Sequence, residues 1–243
     1  MKSVLMKGVP VVSMQSLPKD YRAIVFGSTG GIGGAFVHAL RQDPQCGEVV
    51  GLCRTSKPGF DLVDETTIAA AAESLPGEFH LMVDATGFLS DDRVMPEKSL
   101  RSLDADNLVK LYTLNAIGPA LLIKHFSSKM PRTERGIFAT LSARVGSIGD
   151  NRLGGWYAYR AAKAALNMLV KSAAIEIARN KPQSVLAALH PGTVATSLSD
   201  PFAGNRDRLK PAESATKLLA VLDAIGPEKS GHLWDYLGEQ LEW

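Results

Sequence analysis

Cysteine is scarce in this chain of 243 residues, which has only Cys46 and Cys53. Two cysteines so close together do not make a secreted disulfide framework, and no CxxC pair offers a metal-ligand spacing. A reducing cytoplasm and no metal are expected. An excess of one charge is also missing, since 27 Lys and Arg against 25 Asp and Glu leave a formal charge of +2. No basic face for nucleic acid and no attraction to an anionic membrane follow from that balance, so a small-molecule partner is expected. No apolar run approaches the roughly 20 residues that span a bilayer, which implies a soluble protein. In "MKSVLMKGVPVVSMQSLPKDY" the apolar runs are broken by Lys7, Gly8 and Pro10, and no small-residue cleavage site follows. Residues 1–19 therefore read as a flexible extension that a protein starting at Lys19 can do without. Residues 20–243 read as one domain.

Short apolar runs alternating with helical spacing fill the remainder. Strands are expected at "AIVFG" (23–27), "EVVGLC" (48–53), "HLMVDAT" (80–86), "GIFATLS" (136–142) and "SVLAALH" (184–190), with a last apolar segment "GHLWDYL". Helices are expected around 65–74, from Ser102 to Ser127, around Tyr159 and over 211–224. Alternation of this kind predicts an α/β fold, a single-domain Rossmann arrangement with a doubly wound parallel sheet and helices on both faces. The stretch 197–214, rich in Pro, Gly, Asn and Asp, reads as a long loop with at most one helical turn, and long loops often carry function.

Two patterns carry chemistry. "GSTGGIGGAF" places Gly27, Gly31 and Gly33, with Ser28, Thr29 and Ile32, between the first strand and the first helix. Glycines there let backbone approach a pyrophosphate, whose charge the helix N-terminus stabilises. In "GGWYAYRAAKAALNM", Tyr159 and Lys163 are helix neighbours at i and i+4 and can face one ligand. A phenol with a reference pKa near ~10 is a poor acid or base at neutral pH, and a lysine ammonium together with a nicotinium charge close by is expected to lower that value. At the end of the second strand, where an acid would bind the ribose 2′-OH of NAD, stands Arg54, with Lys57 close by. A guanidinium suits a 2′-phosphate, which favours NADP(H).

The glycine spacing GxxxGxG combined with YxxxK resembles the short-chain dehydrogenase/reductase family from about Arg22 to the C-terminus. Within it, "GSIGDN…GGWYAYRAAKAALNM" most resembles the sniffer-like carbonyl reductases and the C-factor-like proteins. The resemblance implies that Tyr159 is the general acid/base and that Lys163 tunes it and grips the nicotinamide ribose. It implies that Asn115 breaks its helix locally and supports a proton relay, a place that Pro119 fits. Asp61 and Leu62 of "FDLVDE" take the adenine contact, although Asp61 suits a turn equally well. Ala85, Thr86 and Gly87 of "DATG" border the cofactor. Pro191, Gly192, Val194 and Thr196 of "HPGTVATSL" wall the nicotinamide and phosphates.

Three departures from the family pattern stand out. Phe26 replaces a turn-stabilising Thr, and Asp84 replaces an Asn. Counting back from Gly146, the substrate-orienting Ser falls on Ala143, with Ser142 one residue early and on the other face of a strict strand. If the strand end bends, Ser142 orients the carbonyl, with Ser147 second. Trp156, Leu198 and Phe202 are expected around an apolar ketone or aldehyde, and a homodimer or homotetramer is expected. The alternative function is a dinucleotide-binding regulator with little turnover.

Overall fold

The computed structural model describes residues 13–202, 204 and 207–243. Strands β1 (Tyr21–Phe26), β2 (Cys46–Leu52), β3 (Leu81–Asp84), β4 (Gly136–Leu141), β5 (Ser184–His190), β6 (His232–Asp235) and β7 (Gln240–Leu241) form one sheet in the order β2-β1-β3-β4-β5-β6-β7. Every pairing is parallel except β6 with β7. The antiparallel β7 turns back along β6 to close the edge of the doubly wound sheet. Among the described residues, no helix is long and apolar enough to cross a membrane.

Alternation along the strands builds two cores. Ala23, Val25, Leu81 and Val83 face α1 (Gly31–Gln42) and α6 (Pro211–Ala224), packing with Phe36, Leu40, Leu218 and Leu222. Ile24, Phe26, Met82 and Phe138 face the other way, against Ile68 of α2 (Glu65–Ser74), Leu122 and Phe126 of α4 (Gly118–Phe126), and Leu166 and Val170 of α5 (Tyr157–Ala178). Strands buried on both faces read as unbroken apolar runs, which is why the sequence shows them so clearly. Phe26 is fully buried, with its ring edge-on to Phe126 at 4.7 Å. The side chain at this position serves packing, and the turn after it is held by Gly27 and Ser28 N–H groups donating to Leu52 O at 2.9 and 3.2 Å.

The helical stretch expected from Ser102 to Ser127 runs unbroken from Ala105 to Phe126, as α3 (Ala105–Tyr112), a π-helical turn over Thr113–Ile117, and α4. Among the described residues of the 197–214 stretch a 3₁₀ turn spans Asp200–Phe202, and α6 begins at Pro211.

The reading of residues 1–19 as a flexible extension needs correction where the structure describes them; residues 1–12 lie outside the described residues. Met14 is fully buried and Leu17 nearly so, both in the core beneath α1 and α6. Met14 N–H donates to Asp43 Oδ2 at 2.9 Å, and Ser16 N–H to Asp223 Oδ1 at 2.7 Å. Two apolar side chains fill the gap at the base of the sheet, and two carboxylates satisfy the backbone on either side. A protein beginning at Lys19 should therefore lose at least about 2 kcal/mol of stability, as expected for emptying a buried Met or Leu site. Urea unfolding of the truncated and full chains checks this, and equal midpoints would show the segment to be dispensable.

Candidate active site

The first half of the site is the crossing of β1, its glycine turn and α1. Gly27 has a φ of +74°, and a Cβ on Gly33 would lie 2.1 Å from Gly27 O, so α1 can sit this close to the turn only without a side chain there. A Cβ on Gly31 would lie 2.8 Å from Thr196 Cγ2, which brings Thr196 of the β5–α6 loop against the same turn. No side chain caps the N-terminus of α1, and its first turn holds no acid. Such a terminus attracts an anion. Ser28 Oγ donates to Leu52 O at 3.3 Å, and Ile32 packs on the core, so these two residues shape the turn from behind.

A cavity of about 400 Å³ opens beside this turn. Gly27, Thr29, Arg54, Asp61, Leu62, Ala85, Thr86 and Gly87, all singled out in the sequence as cofactor contacts, line it, with Gly30 of the same glycine turn. Cys53, Thr55, Phe60, Phe88 and Leu114 also line it and were not singled out. Phe60 and Leu114 each adjoin a residue that was singled out, and the signal for them was that adjacency. Arg54 is exposed, with no ion-pair partner among the described residues. Asp61 borders the cavity, and its Oδ1 accepts the Val63 N–H at 3.1 Å in a turn. The Cys53 thiol is lowered to about 7, chiefly by its hydrogen bond with Thr55.

The second half of the site lies at the ends of β3, β4 and β5. Lys163 on α5 is 2% exposed and donates from Nζ to Leu141 O at 2.8 Å. Its Nζ lies 5.8 Å from the centre of the Tyr159 ring. Burial lowers the ammonium to about 8, against the attraction of Asp84. Burial also pushes the half-buried Tyr159 phenol up to about 12. The expected lowering, by the lysine together with a nicotinium charge, concerns the site with its cofactor; in the chain itself burial acts in the opposite direction.

Asn115 sits in the π turn, fully buried. Its Nδ2 donates to Phe88 O and Leu111 O at 2.8 and 3.1 Å, and its Oδ1 accepts the Phe88 N–H at 3.0 Å. One amide hydrogen and Oδ1 thus clasp Phe88, just after Gly87, while the other hydrogen bonds Leu111 O one turn back on its own helix. A Cβ on Gly87 would lie 3.5 Å from Asn115 Oδ1 and 4.0 Å from Lys163 Nζ, so these groups meet around one glycine.

Ser142 does not turn toward the cleft. It is 3% exposed, and its hydroxyl donates to Asn167 Oδ1 on α5 at 2.6 Å. Ala143 keeps an extended backbone (φ −154°, ψ 149°), so the strand alternation runs past the end of β4 and carries the Ser142 side chain under the helix. Ser147 is also buried, and its Oγ accepts the Asp150 N–H at 3.0 Å.

On the remaining side, Gly192 has a φ of +80° with Tyr236 packed against it, and Pro191 O accepts from Ser214 Oγ at 2.8 Å. Val194 is buried and bridged to Leu209. Trp156 forms an aromatic wall, 6.2 Å from the Tyr159 ring and 5.2 Å from Phe202. Leu198 is 38% exposed on the same loop as Phe202.

Comparison with known proteins agrees with this geometry. Residues 60–225 match the family model described as Enoyl-(Acyl carrier protein) reductase. The chain is 32% identical over 190 residues to the 1-hydroxy-2-glutathionyl-2-methyl-3-butene dehydrogenase of Rhodococcus sp. (strain AD45), covering 78% of this chain and 80% of that protein. It is 35% identical over 149 residues to the C-signal protein of Myxococcus xanthus, covering 60% of this chain and 84% of the other. Among solved structures, the NADPH-bound carbonyl reductase from chicken fatty liver superposes with a TM-score of 0.81 at 25% identity, covering 95% of this chain and 96% of that one. An NADP-bound short-chain dehydrogenase/reductase from Burkholderia multivorans superposes at 0.77 with 25% identity, covering 92% and 100%.

Proposed function

The chain belongs to the short-chain dehydrogenase/reductase family of oxidoreductases, and from that premise we propose that it reduces a carbonyl, or oxidises the matching secondary alcohol, with NADP(H). The observation that carries this reading is that Asn115 and Lys163 meet at Gly87, with the Tyr159 ring 5.8 Å from Lys163 Nζ, and that Gly87 lines the same cavity as Gly27, Thr29 and Gly30 of the glycine turn. The residues fit a dinucleotide, because the turn excludes side chains, the α1 terminus is uncapped, and a guanidinium stands at the rim. When bound, NADP(H) supplies or accepts the hydride.

The protein's own residues would handle the proton and the orientation. Tyr159 holds its proton at neutral pH and would give it to a carbonyl oxygen, provided that the Lys163 ammonium and the positive nicotinamide of the oxidised cofactor offset the burial that pushes the phenol up to about 12. The Lys163 ammonium, anchored on Leu141 O, would stabilise the phenolate left behind and hold ribose hydroxyls. Asn115 would keep the Gly87–Phe88 backbone in place. The Pro191–Thr196 segment would wall the nicotinamide, while Trp156, Leu198 and Phe202 would favour a small or medium apolar ketone or aldehyde. Exposed Val109, Met168 and Ile175 on α3 and α5 support a homodimer or homotetramer. Light scattering should then return a multiple of 26.0 kDa, and a monomer at micromolar concentration would refute it.

A second reading, a dinucleotide-binding regulator with little turnover, draws on Ala143 and on the commitment of Ser142 to Asn167. The two readings differ at Tyr159. Tyr159→Phe should cut kcat by about 10²-fold or more, the range for a lost general acid, with NADPH affinity kept. Ser142→Ala should cost less than about tenfold, well below the loss for a donor aimed at a developing oxyanion, because its proton is already engaged. Equal collapse of both variants would mean that Ser142 swings out to the substrate.

Cofactor choice rests on Arg54. Arg54→Ala should weaken NADPH by about 1.5–3 kcal/mol, the worth of a charge-assisted contact, and leave NADH nearly unchanged. Fluorescence titration of both cofactors measures this, and equal losses would contradict it.

A further inference from the structure

Resting on that reading, we propose that Asp84 is a positioning residue that keeps Lys163 charged, through a carboxylate buried behind the lysine at the end of β3. Asp84 is fully buried. One oxygen accepts the Thr86 N–H at 2.9 Å and the Thr86 hydroxyl, and the other accepts the Thr140 hydroxyl at 2.7 Å. Asp84 pairs in register with Thr140 on β4, and the next residue, Leu141, supplies the carbonyl that holds Lys163 Nζ. The loop that leaves Asp84 reaches Gly87, against the same ammonium.

A buried ammonium needs more than a neutral carbonyl, since removing it from water costs several kcal/mol unless an opposite charge compensates. The groups around Lys163 can be taken element by element. Its own helix supplies Tyr159, neutral until its proton leaves. Strand β4 supplies the Leu141 carbonyl and the Thr140 hydroxyl, and the π turn supplies the Asn115 amide. Only the end of β3 supplies an anion among these groups. Burial raises Asp84 above the usual carboxylate range, but the hydroxyl and amide donors and Lys163 itself oppose that rise. Asp84 in turn opposes the lowering of Lys163. Each charge makes the other tolerable, and the chain of influence runs from Asp84 through Lys163 to the phenol.

The test is a ¹³C NMR titration of the full chain without cofactor, labelled on lysine and aspartate side chains, with the Lys163 signal assigned by Lys163→Arg. In Asp84→Asn, which keeps the shape and an acceptor oxygen, the Lys163 midpoint should fall by about one pH unit or more, the shift expected for losing a neighbouring opposite charge. An unmoved midpoint would overturn the proposal. In the unaltered chain the Asp84 carboxyl carbon should stand at its ionised shift at pH 7, and a protonated signal there would overturn it even if the variant did not fold. With NADPH and a reducible carbonyl, the alkaline limb of the rate should move to lower pH in the same variant. A rate lost evenly at all pH values with the midpoint unmoved would mark Asp84 as merely structural. Absence of turnover in the unaltered protein would defeat the reductase reading and leave the lysine titration to decide this one.

Discussion

A lysine ammonium buried at the carboxyl ends of β3 and β4 is the constraint around which the site is arranged. To bring Nζ to Leu141 O, α5 must press onto the end of β4, and Gly146 is what permits it. A Cβ at Gly146 would lie 2.8 Å from Lys163 Cβ and 2.9 Å from its carbonyl carbon. The same approach places Tyr159 one turn earlier on α5, beside the Trp156 wall, and carries Asn167 one turn later onto Ser142. The interior charge is tolerable because the strand ends converge there with a carbonyl, two threonine hydroxyls and a carboxylate.

The glycine-turn end of the cavity is held differently, by close backbone approach rather than charge. Gly27 and Gly33 nearly touch, Thr196 closes over Gly31, and the α1 N-terminus is left without a side-chain cap. The two ends are joined by the Ala85–Phe88 segment, which lines the cavity and is clasped by Asn115. The π turn is what makes that clasp possible, since an extra residue in one helical turn re-aims a side chain that a regular helix would point elsewhere.

Much of this was legible in the sequence, for identifiable reasons. The bounds of α2, β5 and α6 follow from local periodicity and from Pro and Gly at their ends, and the structure places them where the sequence suggests. The glycine turn and the Tyr159–Lys163 pair are short-range patterns whose spacing alone brings the groups together. The local break at Asn115 was expected from the family resemblance and stands as the π turn, whereas the apolar pattern alone would not have shown it, because one inserted residue barely disturbs a period of 3.6. The docking of Met14 and Leu17 was hidden because a short irregular segment has no period and its partners, Asp43 and Asp223, are distant in sequence. Ser142 failed on the supposition that the strand end bends, whereas Ala143 remains extended. The raised Tyr159 phenol depends on burial, which no local pattern reveals.

The account stands or falls on whether this site performs chemistry on a carbonyl. The full chain should be incubated with NADPH and a broad panel of apolar ketones and aldehydes, with absorbance followed at 340 nm and alcohol formation assayed in parallel. NADPH loss matched by alcohol, with at least one panel member, is the result predicted. NADPH that binds, as its fluorescence reports, yet is consumed with none of them would contradict the account and leave a dinucleotide-binding regulator in its place.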